Sequence, residues 1–232
     1  MPPHATRAVR VAVDAVTLDG DLTIPPDARG TILFAHGSGS SRHSPRNRYV
    51  AGVLNAAGLA TLLLDLLTQD EERRDVVTRE HRFDIVLLAR RLGGATRWLE
   101  QDDATRALGI GYFGASTGAA AALVAAAAHP EVRAVVSRGG RPDLAGPALP
   151  HVLAPTLLIV GSRDTEVIAM NEDARRRMEA PVELQIVPGA THLFEEPGTL
   201  ERVAELARDW FIRHIPAPDR SRDASAHHAA HG

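Results

Sequence analysis

Cysteine is absent from the 232 residues, which excludes a thiolate nucleophile, a cysteine zinc site and any disulfide framework, and leaves the redox compartment open. Lysine is absent as well. All 26 basic side chains are therefore arginine, and P-loop phosphate binding and Schiff-base chemistry lose their required residue. Aromatic residues make up 4% of the chain, so a core has to be assembled from Val, Leu, Ile and Ala. No apolar stretch reaches membrane-spanning length, and the first residues, Met-Pro-Pro-His-Ala-Thr-Arg, lack the apolar region of a secretory signal. A formal net charge of -3 offers little to a polyanion. The expectation is a soluble cytoplasmic protein with neither a membrane nor a nucleic acid as partner, while the oligomeric state is left open.

What is present is 44% hydrophobic residues, enough for one domain with a sizeable core. Val9, Val11 and Val13, then Val16, Leu18, Leu22 and Ile24, alternate with polar residues on either side of Asp19-Gly20, which predicts an antiparallel hairpin at a sheet edge. From there short apolar runs alternate with segments of helical spacing. Strands are expected at Gly30 to Ala35, Ala60 to Leu64, Leu108 to Phe113, Val132 to Ser137, Thr156 to Val160 and Glu183 to Val187. Helices are expected at Arg46 to Ala57, Arg82 to Leu99, after Thr117, around Glu166 to Met178 and at Leu200 to Ile215, with an acidic exposed loop at Thr68 to Asp75. This alternation argues for an α/β fold with a mostly parallel sheet of about seven to eight strands and helices on both faces. Residues 216–232 read as a polar, disordered tail, whose His227, His228 and His231 would offer a metal no preorganised site.

The stretch around which the rest is organised is Gly114-Ala115-Ser116-Thr117-Gly118, between an apolar run and an Ala-rich run free of Pro until Pro130. A G-x-S-x-G pattern at a strand-to-helix turn places a serine in a strained backbone conformation with its hydroxyl at a helix head. The amide of Thr117 then points where an oxyanion would form. A serine hydroxyl needs a base to remove its proton, and an imidazole base needs a carboxylate to hold one tautomer. In open parallel sheets such groups gather past the carboxyl ends of strands. Asp164, after the penultimate strand, and His192, after the last, complete the chain order Ser, acid, His, with Asp65 as the rival acid. His36 is expected to shape the loop His36-Gly37-Ser38-Gly39-Ser40-Ser41, from which the Ser38 amide is the expected second oxyanion donor.

With these motifs in view the chain resembles the α/β-hydrolases from about Val9 to Ile215, and among them the dienelactone hydrolase-like family, through His-Gly-Ser-Gly-Ser-Ser and Gly-Ala-Ser-Thr-Gly. The resemblance implies an α/β-hydrolase domain over residues 1–215, a catalytic triad of Ser116, His192 and Asp164, and no cofactor. It also places Ser116 where the founding dienelactone hydrolases use cysteine, which leaves dienelactone specificity in question. Some relatives carry a fused phosphoribosyltransferase domain, not expected in this chain. The segment between Ser137 and Thr156 is too short for a helical cap, so an open site suited to small or short-acyl esters, lactones included, is expected. Arg42, His43 and Arg141 are candidates to bind the substrate, with Arg46 and Arg138 also following the same loops. The function expected is hydrolysis of a small-molecule carboxylic ester through an acyl-enzyme. An acyltransferase or perhydrolase with the same triad, or a non-catalytic homologue that binds a ligand, are the alternatives.

Overall fold

The structure, a computed structural model, describes residues 5–218, so the expected tail beyond Pro218, with its three histidines, lies outside the described residues. Eight strands form one sheet: β1 (Thr6–Val13), β2 (Val16–Thr23), β3 (Gly30–Ala35), β4 (Leu59–Leu64), β5 (Gly109–Ala115), β6 (Ala134–Arg138), β7 (Thr156–Gly161) and β8 (Val182–Val187). Their order is β1-β2-β4-β3-β5-β6-β7-β8. Pairing is antiparallel for β1 with β2 and β2 with β4, and parallel from β4 through to β8. The helices are α1 (Pro45–Ala56), α2 (Gln69–Thr78), α3 (Ile85–Gln101), α4 (Thr117–Ala128), α5 (Thr165–Arg177) and α6 (Thr199–His214).

Because successive side chains of a strand point to opposite faces, the central strands feed two cores. Leu33, Tyr112 and Val135 pack with Leu92 and Leu123 of α3 and α4. Ile32, Phe34, Phe113 and Val136 pack with Leu54 and Phe211 of α1 and α6 on the other face. Burying each such side chain contributes about 1.5–3 kcal/mol. Such burial on both faces explains why β3, β4 and β7 read as unbroken apolar runs.

Three expectations need correction. The hairpin turns at Asp14-Ala15, with Asp14 at φ 51°, and Asp19-Gly20 lies within β2, where Gly20 pairs with Leu64 of β4. The acidic stretch from Thr68 to Asp75 is largely helix α2, started by a capping box in which Thr68 and Glu71 bind each other's backbone amides. Its one buried residue is Asp75, so periodicity had no apolar face to detect. Helix α3 begins at Ile85 behind the N-cap Asp84, leaving Phe83 and Val86 exposed. The connection from β6 to β7 holds a short 3-10 stretch, Pro142–His151, lying against α4 and α5, and no cap domain. No helix among the described residues is long and apolar enough to cross a membrane.

Candidate active site

β5 runs straight into α4 through Ser116, whose backbone takes φ 52° and ψ -122°. A non-glycine residue there stores strain on the order of 1–3 kcal/mol and persists only where its surroundings enforce it. Here the Ser116 N–H donates to Arg138 O (3.2 Å), and Ser116 O accepts from Ala119 N (3.1 Å) and Arg141 N (3.2 Å). Both flanking glycines are required by close approach. A Cβ on Gly114 would lie 2.4 Å from Ala119 Cα, and one on Gly118 would lie 2.3 Å from Ala35 O. The serine side chain caps nothing in α4 and remains partly exposed.

Past β8, His192 presents Nδ1 to Asp164 Oδ2 at 2.6 Å. A carboxylate has no proton to give, so Nδ1–H donates, and in the neutral imidazole Nε2 is then the bare nitrogen. Asp164 stands at the start of α5, and its loop is interlocked with that of His192. Ser162 N donates to Val187 O (3.0 Å), Arg163 N to Ala190 O (3.0 Å) and Gly189 N to Ser162 Oγ (2.8 Å). Phe194, buried at φ 55°, and Glu196, which accepts from Thr191 N at 3.1 Å, close the turn from below. Hydrogen bonds from Thr191 hold the Glu196 carboxyl below its usual range. Gly139, at the end of β6, lies against the His192 ring: a Cβ there would be 3.5 Å from Nδ1 and Cε1. The rival carboxylate, Asp65, is engaged elsewhere, accepting from the Arg42 amide (2.6 Å) and from its guanidinium.

The loop after β3 passes over Ser116, with Gly37 so close that a Cβ would be 3.1 Å from Ser116 Cβ. His36 is buried and clamped at both ring nitrogens. Leu66 N donates to Nε2 (3.1 Å), so Nδ1 carries the proton and donates to Gly37 O (3.0 Å). Burial keeps its pKa below the usual value. His36 therefore shapes the loop, as expected. The Ser38 amide differs from expectation: it donates to Thr117 Oγ1 at 2.9 Å and is not a free donor in this structure. An amide N–H has one proton to offer.

The guanidinium groups also sort themselves. Arg42 is spent on Asp65 and Asp21, Arg141 forms a forked pair with Asp143 (2.9 and 2.8 Å), and the His43 ring binds Arg48. The three residues expected to bind substrate thus have partners within the chain. Of them His43 lines a cleft of about 640 Å³, together with Asp19, His36, Ser40, Asp65 and Glu72. That cleft lies beside the loop after β3 rather than over Ser116. Arg138 is the exception. It is 8% exposed, its Nε and Nη1 have no hydrogen-bond partner among the described residues, and Nη2 reaches Asn47 Oδ1 at 3.5 Å. Burial, and then the neighbouring Arg46 charge, push its pKa down to about 10.

Sequence reasoning missed Asp75 and Arg82. Buried Asp75 accepts from His81 N (2.7 Å), Arg82 N (3.0 Å) and Arg82 Nε (2.6 Å). Burial alone would raise its pKa, and these hydrogen bonds outweigh it and bring it down. Arg82 O in turn accepts from Ser38 Oγ (3.2 Å). The readable signal was the capping box at Thr68, which starts the helix carrying Asp75.

Comparison with known proteins identifies the family and the fold. The sequence model of the dienelactone hydrolase family matches residues 19–215. A crystal structure of dienelactone hydrolase from Anabaena variabilis ATCC 29413 is 63% identical and superposes with a TM-score of 0.91, covering 92% of this chain and 99% of that one. Est1E from Butyrivibrio proteoclasticus shares the fold at 17% identity, with a TM-score of 0.75 over 90% of this chain and 98% of that one. A protein of Mycobacterium tuberculosis strain H37Rv, provisionally named a phosphoribosyl transferase, is 59% identical over 221 residues, covering 95% of this chain and 49% of its own length. The chain therefore spans about half the length of the curated relatives it matches.

Proposed function

The chain belongs to the dienelactone hydrolase family, and from that premise we propose that it is a serine hydrolase cleaving small or short-acyl carboxylic esters, lactones included. The observation that carries the reading is a strained, uncapped serine at the β5–α4 turn, tied by its N–H to Arg138 O next to the Gly139 that lies against the His192 ring, together with a His192 Nδ1 held by the Asp164 carboxylate. Ser116 Oγ attacks the ester carbonyl while His192 Nε2 takes its proton, and Asp164 stabilises the imidazolium that forms. The oxyanion is received by the Thr117 amide at the head of α4 and, once it is released, by the Ser38 amide. His192 then returns the proton to the leaving alcohol, and water repeats the sequence on the acyl-enzyme.

The transferase name of the Mycobacterium tuberculosis relatives is not carried over, because this chain covers only 49% of that protein's length. The test is intact mass after treatment with a fluorophosphonate, for wild type and Ser116→Ala, with p-nitrophenyl acetate and butyrate hydrolysis alongside. Stoichiometric labelling and turnover, both lost in the variant, are expected. A folded wild type that takes no label would overturn the reading in favour of a ligand-binding homologue.

A further inference from the structure

We propose that the Thr117 hydroxyl is a positioning residue that keeps half of the oxyanion site shut at rest, because it occupies the Ser38 amide that must receive the substrate's developing charge. The inference rests on the serine-hydrolase reading above. Proton bookkeeping fixes the direction of every bond involved. Ser38 Oγ has one proton and gives it to Arg82 O (3.2 Å). The 2.9 Å contact between Ser38 Oγ and Thr117 Oγ1 must then have Thr117 as donor. Thr117 Oγ1 in turn accepts the Ser38 N–H, also at 2.9 Å. One hydroxyl is thus gripped twice by one residue, and the far end of the chain is anchored through Arg82 to buried Asp75.

The two expected oxyanion donors therefore behave differently. The Thr117 amide, at the first position of α4, is unaffected by where its own side chain points. The Ser38 amide becomes available only when Thr117 turns about χ1 and surrenders both bonds. Ser38 is exposed and Thr117 is buried, so an incoming carbonyl reaches the amide from the open side while the hydroxyl withdraws into the protein. A net hydrogen bond of ordinary strength slows acylation by about two- to tenfold when it has to be broken first. Threonine is β-branched, so its side chain has few staggered positions and the change is a discrete one.

The full chain carrying Thr117→Val, which cannot bind the amide, is compared with Thr117→Ser, which restores the hydroxyl, and with wild type. The second-order rate of fluorophosphonate labelling, and kcat with p-nitrophenyl acetate, are expected to rise two- to tenfold in the valine protein with KM little moved. The serine protein is expected to lose that acceleration. A structure of phosphonylated wild type gives an independent readout that needs no variant: Ser38 N within hydrogen-bond distance of the phosphonyl oxygen, with Thr117 Oγ1 released. A folded valine protein no faster than wild type, or an adduct in which Thr117 Oγ1 still holds the Ser38 amide, would overturn the proposal. Failure of wild type to label at all overturns the hydrolase reading and takes this inference with it.

Discussion

Replacing Asp164 by Asn removes the charge that faces His192 Nδ1 at 2.6 Å and leaves the shape of the site nearly unchanged. A hydrogen bond to a charged group contributes about 1.5–3 kcal/mol, which corresponds to roughly 10- to 150-fold in rate. Tautomer control adds to this. If the amide NH2 turns toward the ring, Nδ1 must accept, Nε2 carries the proton and the base is lost; in serine proteases the same substitution costs about 10⁴ in kcat. The His192 side chain is 38% exposed and that of Asp164 is 17% exposed, so water screens part of the interaction. The expected loss in kcat is therefore about 10²- to 10⁴-fold, with KM changed little. Steady-state hydrolysis of p-nitrophenyl acetate, with the fluorophosphonate labelling rate as a second measure, reads it. Asp65→Asn serves as the control, since Asp65 is bound to Arg42 and should retain most of the activity. An Asp164→Asn protein within threefold of wild type, with Asp65→Asn inactive, would refute the assignment and make Asp65 the acid.

Gly118→Ala would place a methyl 2.3 Å from Ala35 O and 2.4 Å from His36 O, both backbone atoms, and should cost about 1–3 kcal/mol in urea unfolding; an unchanged midpoint would show that the β5–α4 packing is looser than described. Arg138→Met removes a buried cation that has no carboxylate partner among the described residues and should raise stability by about 1–4 kcal/mol, so a lower urea midpoint would mean the guanidinium contributes favourably where it sits. His36 and His214 both have pKa values lowered by burial, so the unfolded chain binds more protons below its own value of about 6.5. Stability should therefore be complete above about pH 6.5 and fall as the pH drops toward the folded values, and His36→Gln should flatten that slope below about pH 6.5. The Asp75 carboxylate has its pKa lowered, so its contribution is lost only in a separate, more acid window.

Features governed by neighbours in the chain were readable from the residues alone. Period-two alternation located β1 and β2, continuous apolar runs located the buried strands, and Gly-Ala-Ser-Thr-Gly between an apolar and an Ala-rich run located the strained turn. Errors arose where a local signal lacked an apolar partner. Helix α2 is fixed by its cap and by Asp75 rather than by a hydrophobic face, and the edge hairpin turns at Asp14-Ala15, ahead of the more conspicuous Asp-Gly pair. Phe83 is exposed ahead of α3, which Asp84 caps, and Val86 is exposed within it, off the face that buries Ile85, Leu88, Ala89 and Leu92.

Chain order alone placed Ser116, Asp164 and His192 after β5, β7 and β8, at one edge, because a parallel sheet sends the carboxyl end of each strand to the same edge. The tertiary structure decided which of the candidates meet. Two acids end strands, and only the fold turns Asp164 to His192 while Arg42 takes Asp65. Arg42, Arg46, Arg138 and Arg141 follow the relevant loops, and only packing leaves Arg138 without a carboxylate among the described residues. Which hydroxyl holds the Ser38 amide was equally invisible, since Ser38 and Thr117 are 79 residues apart and meet through side-chain geometry that no local pattern encodes.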